Sequence, residues 1–239
     1  LASFLFKAWE LLAVHLLPSR CFVCGESLPA LQHLGSCPSC WARLAPLRGP
    51  ACRFCALPLA GDGERCLRCV VRPLPLDALT AAFVYDETAR RFLLRAKSGG
   101  RRELLAPFGR QVAAAVRSSG LARGVDIVVP VPSSPLARLR RGFDPAATIA
   151  RTLASELRLP FDRGRLVRRA SLRRPAKSLG AAARWAAVHQ AFVARRAVPG
   201  TVLLVDDVFT TGATACACAR ALGDAGATSV RAAVWARTL

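Results

Sequence analysis

A chain of 239 residues can hold one medium domain plus a small one, and a hydrophobic content of 53% is ample for a core. No stretch reaches the ~18 consecutive uncharged apolar residues that a membrane helix needs, so no membrane span is expected. The formal charge is +20, from 35 basic against 15 acidic residues, nearly all of the excess being arginine because only Lys7, Lys97 and Lys177 are lysines. Part of this excess can reflect genome composition; a charge so far from balance also creates a field that attracts polyphosphates and nucleic acids.

The first predicted element is an amphipathic helix over residues 1–18, stopped by Pro18. Lys7, Glu10 and His15 interrupt its apolar run and no small-residue cleavage site follows, so it reads as a packing helix and not a signal peptide. The absence of Met implies that the natural start is missing. With no secretion signal, a cytoplasmic location is expected.

Residues 20–72 form a separate module defined by cysteine. Eight of the ten cysteines fall in four CxxC pairs, Cys21/Cys24, Cys37/Cys40, Cys52/Cys55 and Cys66/Cys69, separated by 12, 11 and 10 residues. A two-residue spacer lets both sulfurs of a knuckle reach one tetrahedral zinc ion, and two knuckles complete a closed Cys₄ site. The predicted module is a compact double zinc ribbon with two structural zinc ions, paired in sequence order; a cross-braced pairing fits the same spacing. The rival, a disulfide framework, belongs to secreted proteins. His33 finds no vacancy among eight thiols, and His15 and His189 receive no role. Cys216 and Cys218, two apart on a predicted helix, read as small core residues.

After a short Pro-containing linker, Arg72 to Leu76, the pattern from residue 77 to 239 becomes alternating α/β. Strands are predicted at Leu79–Tyr85, Val125–Val131, Thr201–Val208 and Ser229–Trp235, with a weak candidate at Leu166-Val167. Helices are predicted at Thr88–Ala96, Glu103–Arg117, Pro145–Leu157 and Ala213–Ala225. This alternation implies a mostly parallel sheet flanked by helices, which binds ligands at the carboxyl ends of its strands. The densest basic run, Arg163 to Lys177, reads equally as a solvated loop or as a mobile basic lid over a diphosphate.

The most informative string is VLLVDDVFTTGAT, residues 202–214. A buried-strand run leads into the carboxylates Asp206 and Asp207, then into the small hydroxyl-bearing turn Thr210-Thr211-Gly212-Ala213-Thr214 and a helix. Free N–H groups and the dipole at a helix N-terminus suit a phosphate, and the acids one strand-end away suit sugar hydroxyls. An ordinary strand–loop–helix connection also carries Asp, Thr and Gly, but seldom this whole string.

The segment resembles the 5-phosphoribosyl diphosphate (PRPP) motif of type I phosphoribosyltransferases. Asp126-Ile127-Val128-Val129-Pro130-Val131-Pro132 with Arg141-Gly142-Phe143-Asp144 is similar to the PVP…RGFN signature of ComF/GntX-type proteins. Tyr85 with Leu94-Arg95-Ala96-Lys97 and Gly99, and the four CxxC pairs, resemble further parts of that family. The resemblance implies a double zinc ribbon ahead of a type I phosphoribosyltransferase-like domain. It implies ribose hydroxyls held by Asp206 and Asp207, directly or through Mg²⁺, and a 5-phosphate held by Thr210 to Thr214. It places the diphosphate against the Pro130 to Ser133 turn, including Pro132 and Ser133, with Lys97, Arg138 and Arg141 as sources of positive charge.

The same resemblance implies a link to competence and DNA uptake. Two functions follow from it. One is a Mg²⁺-dependent phosphoribosyltransferase with an unknown acceptor; the other is a PRPP-sensing scaffold acting on single-stranded DNA or a competence helicase. The chain also departs from the family pattern: Arg173, Ala176 and Ala187 stand where Thr, Gln and Asn are expected, and Asp144 stands for Asn. The PRPP site is expected to be intact and the acceptor site atypical.

Overall fold

The computed structural model describes residues 20–28, 35–61, 63–98, 101–169 and 191–239. Its frame is a four-stranded sheet in the order β1 (Ala78–Val84), β6 (Ala227–Arg237), β5 (Gly200–Phe209), β2 (Ile127–Pro130), with every neighbouring pair parallel. A parallel bridge from Val128 to Phe161 continues it beyond β2. Among the described residues four helices of eleven or more residues accompany it: α3 (Glu87–Ser98), α4 (Leu105–Ser118), α6 (Pro145–Leu157) and α7 (Ala213–Gly223).

Strand β5 shows why the sheet is covered on both faces. Val202 and Leu204 enter one apolar cluster with Ala215, Cys218 and Leu222 of α7, whereas Leu203 and Val205 enter another with Phe108 of α4 and Ile149 of α6. A strand sends successive side chains to opposite faces, so a run that is apolar at every position can be buried only between two layers. The antiparallel pair β3 (Leu166–Arg168) and β4 (Phe192–Ala194) lies on the α7 side, where Leu166 and Phe192 join the first of these clusters. On the opposite face Trp235 stacks on Phe108 with ring centroids 3.9 Å apart and donates its indole N–H to Gln111 Oε1 at 2.7 Å. Helices α4 and α6 approach so closely that a Cβ on Gly109 would lie 2.6 Å from Thr152 Cβ.

The cysteine module is built into this frame. Residues 45–47 pair antiparallel with β1, through Leu47 N–H to the Ala82 carbonyl at 3.0 Å and Val84 N–H to the Ala45 carbonyl at 2.8 Å. This covers the sheet edge that would otherwise present unpaired backbone groups. The two knuckle pairs straddle that edge. Cys21 and Cys40 join the α4 and α6 cluster, while Cys52, Cys55, Cys66 and Cys69 join the α7 cluster. Two one-turn helices, α1 (Pro38–Ala42) and α2 (Leu67–Val71), begin beside the later knuckle of each pair. Leu76, within the predicted linker, is buried in the α7 cluster.

Each strand and long helix expected between residues 77 and 239 is present, with ends moved by a few residues. Three elements are additional: β4, the helix α5 (Pro135–Arg141) and the one-turn 3₁₀ segment Arg102–Leu104. Helix α5 buries none of its residues, so it carries no amphipathic stripe from which it could be recognised. The expected helix over residues 1–18 and the basic residues Arg173, Arg174 and Lys177 lie outside the described residues, as do Ala176 and Ala187.

Candidate functional site

The eight knuckle thiols gather into two sets, Cys21/Cys24/Cys37/Cys40 and Cys52/Cys55/Cys66/Cys69. Within each set all the sulfurs lie within 4.8 Å of one another. This is the pairing in sequence order, and no cross-braced set forms. Four thiolates at the ~2.3 Å Zn–S distance stand about 3.8 Å apart along the edges of a tetrahedron. Cys21 and Cys40 are 3.7 Å apart, Cys24 and Cys37 3.7 Å, and Cys55 and Cys66 3.6 Å. All ten cysteines are free thiols. Both sets therefore fit zinc.

Arg237 joins the second set to the sheet. Its side chain is 2% exposed, and it donates Nε–H to the Cys55 carbonyl at 2.5 Å and Nη2–H to Cys55 Sγ at 3.7 Å. Another of its N–H groups reaches the Thr238 carbonyl. Thr238 in turn donates its backbone N–H to the Phe209 carbonyl at 3.1 Å, immediately before Thr210. A cation against a cluster of four thiolates offsets part of their charge and orients the ligand, as outer partners of metal sites do. The sequence analysis assigned Arg237 no role; its only signal is a charge closing the otherwise apolar run Ala232 to Ala236.

At the carboxyl end of β5, Asp206 and Asp207 point to opposite sides of the strand. Asp207 meets Lys97 of α3, with Oδ2 and Nζ 2.7 Å apart and both side chains largely shielded. Asp206 accepts the Asp207 backbone N–H at 2.8 Å. Burial, then the charge of Asp207, raise the Asp206 pKa well above the ordinary carboxylate value; Asp144 adds to the rise and Lys97 opposes it. The charges of Asp207, Asp144 and Lys97 all reach Asp206, but among the described residues only the two cysteine sets bring three or more ligand groups within reach of one ion.

The turn after β5 has the expected shape. Gly212 caps α7 with φ +79°, and a Cβ there would lie 2.7 Å from the Phe209 ring. Thr211 Oγ1 accepts the Ala213 N–H at 3.4 Å. Thr210 to Thr214 and Asp206 surround a hollow of about 40 Å³ at the N-terminus of α7.

Across from it, the turn after β2 carries Pro132 and Ser133. Ser133 donates its N–H to Asp144 Oδ2 at 3.0 Å and its hydroxyl to Oδ1 at 3.1 Å, and Asp144 is 6% exposed. A carboxylate with two acceptor oxygens can take both donors at once; this is what Asp contributes at the position where the family has Asn. Ser134 then caps α5 by accepting the Ala137 N–H at 3.2 Å. Arg138 stands exposed on α5, whereas Arg141 is half-buried and its Nε is without a partner among the described residues. Of the candidate cations, Lys97 meets the acid pair directly, and Arg138 and Arg141 ride on the element that follows the Ser133 turn.

Comparison with known proteins places the chain in a family. The double zinc ribbon domain family matches residues 12–70. The "DNA utilization protein YhgH" of Salmonella typhimurium is 32% identical over 227 residues, covering 93% of this chain and 98% of that protein. Its namesake in Escherichia coli K12 is 30% identical over the same shares. The chain belongs to the ComF/GntX-type family. Among solved structures, the Bacillus subtilis glutamine PRPP amidotransferase complexed with ADP and GMP matches 54% of this chain and 25% of its own. It does so at 23% identity and a TM-score of 0.38. The adenine phosphoribosyltransferase of Leishmania tarentolae matches 54% of each chain, at 17% identity and a TM-score of 0.32. Among the described residues no helix is long and apolar enough to cross a membrane.

Proposed function

We propose that this member of the family binds PRPP with Mg²⁺ at the carboxyl edge of the sheet and serves DNA utilisation. The observation that carries the reading is the juxtaposition at the end of β5 of a mutually repelling acid pair with the Gly212-capped turn. Asp206 and Asp207 would hold the ribose hydroxyls, directly or through the cation, and Thr210 to Thr214 the 5-phosphate. The Ser133 turn, clamped by Asp144, would meet the diphosphate together with Arg141. Mg²⁺, when bound with PRPP, would neutralise the diphosphate and the carboxylates together.

In a transferase, a nitrogen lone pair of the acceptor forms the bond to C1 while the C1–O bond breaks. Its electron pair leaves on the diphosphate, and the proton on nitrogen passes to solvent. The chain's share in such a step is orientation and positive charge at the leaving group. The formal charge of +20 favours the second reading, a PRPP-responsive protein acting on single-stranded DNA or a competence helicase without transfer.

PRPP with Mg²⁺ should raise the melting temperature, and Asp206→Asn with Asp207→Asn should abolish the rise. Absence of a rise in the wild type would refute both readings. Diphosphate release on adding nucleobases supports transfer; binding of PRPP without release under any acceptor, with salt-dependent DNA binding, supports the second.

A further inference from the structure

The two cysteine sets differ in how they face water. In the first, Cys21 and Cys40 lie in the core at 2% and 0% exposure, whereas Cys24 is exposed and Cys37 half-buried. Each of these pairs is an edge of the tetrahedron with its sulfurs 3.7 Å apart, so the set turns one edge inward and one outward. The second set has no outward edge: Cys52, Cys55, Cys66 and Cys69 are each 5% exposed or less. Cys55 and Cys69 do border a cleft of about 510 Å³ beside α2, yet both thiols are buried, and Arg237 Nη2 lies 3.7 Å from Cys55 Sγ.

We infer that the outward edge of the first ribbon, Cys24 with Cys37, is an oxidation site for small peroxides, from which the second ribbon is shielded. The inference rests on zinc occupying both sets, which keeps the sulfurs as thiolates, the form that attacks electrophiles. Susceptibility to peroxide follows thiolate character and exposure, and within the two sets the outer edge of the first combines them. The Cys24 thiolate attacks one peroxide oxygen and the O–O bond breaks. Its electron pair leaves on the other oxygen, which takes a solvent proton and departs as water, with Cys24 left as a sulfenic acid. The Cys37 thiolate, 3.7 Å away, then forms the S–S bond and expels the second oxygen, which takes another solvent proton and departs as water. Two thiolates thus supply the two electrons that one peroxide accepts. Cys21 and Cys40 alone remain as ligands where a closed site needs four, so the ion is released. The same ribbon holds α3: the Val23 carbonyl accepts Arg91 Nη1–H at 3.1 Å, and Phe22 and Trp41 pack on Phe92. Oxidation therefore loosens the ribbon's hold on the helix that carries Lys97.

The test adds hydrogen peroxide to the full zinc-loaded chain, reads released zinc with a chromophoric chelator and maps disulfides by mass spectrometry after alkylation. One zinc per chain should leave about ten-fold or more faster than the other, and the disulfide formed with it should join Cys24 to Cys37. Dithiothreitol with added zinc should restore the full complement, because thiol exchange reverses a disulfide. Amide hydrogen exchange over α3 should rise as the first zinc leaves and return on repair. Loss of both ions at comparable rates, a first disulfide within the second set or between Cys21 and Cys40, or no loss under peroxide that oxidises a free-thiol control peptide would each overturn the inference. Unchanged exchange over α3 once the first zinc has left would overturn its link to that helix. Fewer than two zinc ions per chain before peroxide is added would overturn the zinc reading, and the inference with it, so the two failures are told apart at the start.

Discussion

Gly212→Ala probes whether the phosphate turn is held in shape by sterics. The residue sits at φ +79°, where an L side chain costs roughly 1–2 kcal/mol. The new Cβ would meet Phe209 at 2.7 Å and 3.2 Å, distances that force the ring to move. That ring is 4% exposed and packed in the α7 cluster, so yielding disturbs a filled core; overpacking of this kind costs about 1–3 kcal/mol. Together the loss should be about 2–5 kcal/mol. Gly120→Ala is the control: its φ is +70° and nothing lies within 4 Å of its Cβ, so only the backbone cost of roughly 1–2 kcal/mol applies. Urea denaturation of both variants in zinc-saturated buffer, compared at constant m, isolates the contact with Phe209. Movement of Phe209 also disturbs the Thr238 N–H bond to its carbonyl, so Gly212→Ala should weaken the PRPP response and Gly120→Ala should not. Equal destabilisation by the two substitutions, within about 0.5 kcal/mol, would refute the steric argument.

Other perturbations test the remaining parts. Asp206 has a raised folded-state pKa, so the folded protein holds a proton that the unfolded chain gives up from about pH 4 upward; stability falls as pH rises through that window. Asp206→Asn should therefore gain in melting temperature over the wild type as pH goes from 5 to 8, and a constant difference would show that no such proton is held. Phe92→Ala removes the ring against which Phe22 and Trp41 pack, at a cost of about 3–5 kcal/mol, and chelator competition should show faster zinc loss from one site per chain only. Arg237→Met should speed zinc release from the second site, leave the first unchanged and weaken the PRPP thermal shift; release from both sites at wild-type rates would sever the proposed link between ribbon and phosphate turn. Asp144→Ala removes two acceptors from Ser133, and should lower PRPP affinity about ten-fold or more by freeing that turn, read by calorimetry.

Much of this architecture was legible in the sequence because its signals are local. A CxxC knuckle places two sulfurs on one ion whatever surrounds it, and Val202 to Val205 could be buried only in a covered parallel strand. Helix α6 announced itself by Pro145 at its start and a regular apolar stripe, and it spans Pro145–Leu157 as expected. Helix α5 and strand β4 were not legible: the first buries nothing, and the second is three residues whose only strand partner among the described residues is β3, far away in sequence.

Sequence by itself determined the ligand-bearing residue types, their spacing and the parallel α/β frame, since these depend on chemistry within a few residues. Tertiary structure decided which distant groups meet. It set Lys97 on Asp207, turned Asp144 from a departure in the motif into the clamp on Ser133, and put Arg237 beside Cys55 across 182 positions of chain. It also placed the two ribbons astride the β1 edge, one on each apolar layer. No local pattern encodes such contacts. They arise because a covered sheet must bury both its faces and its edge at once, and whatever side chains stand at the meeting points become the site.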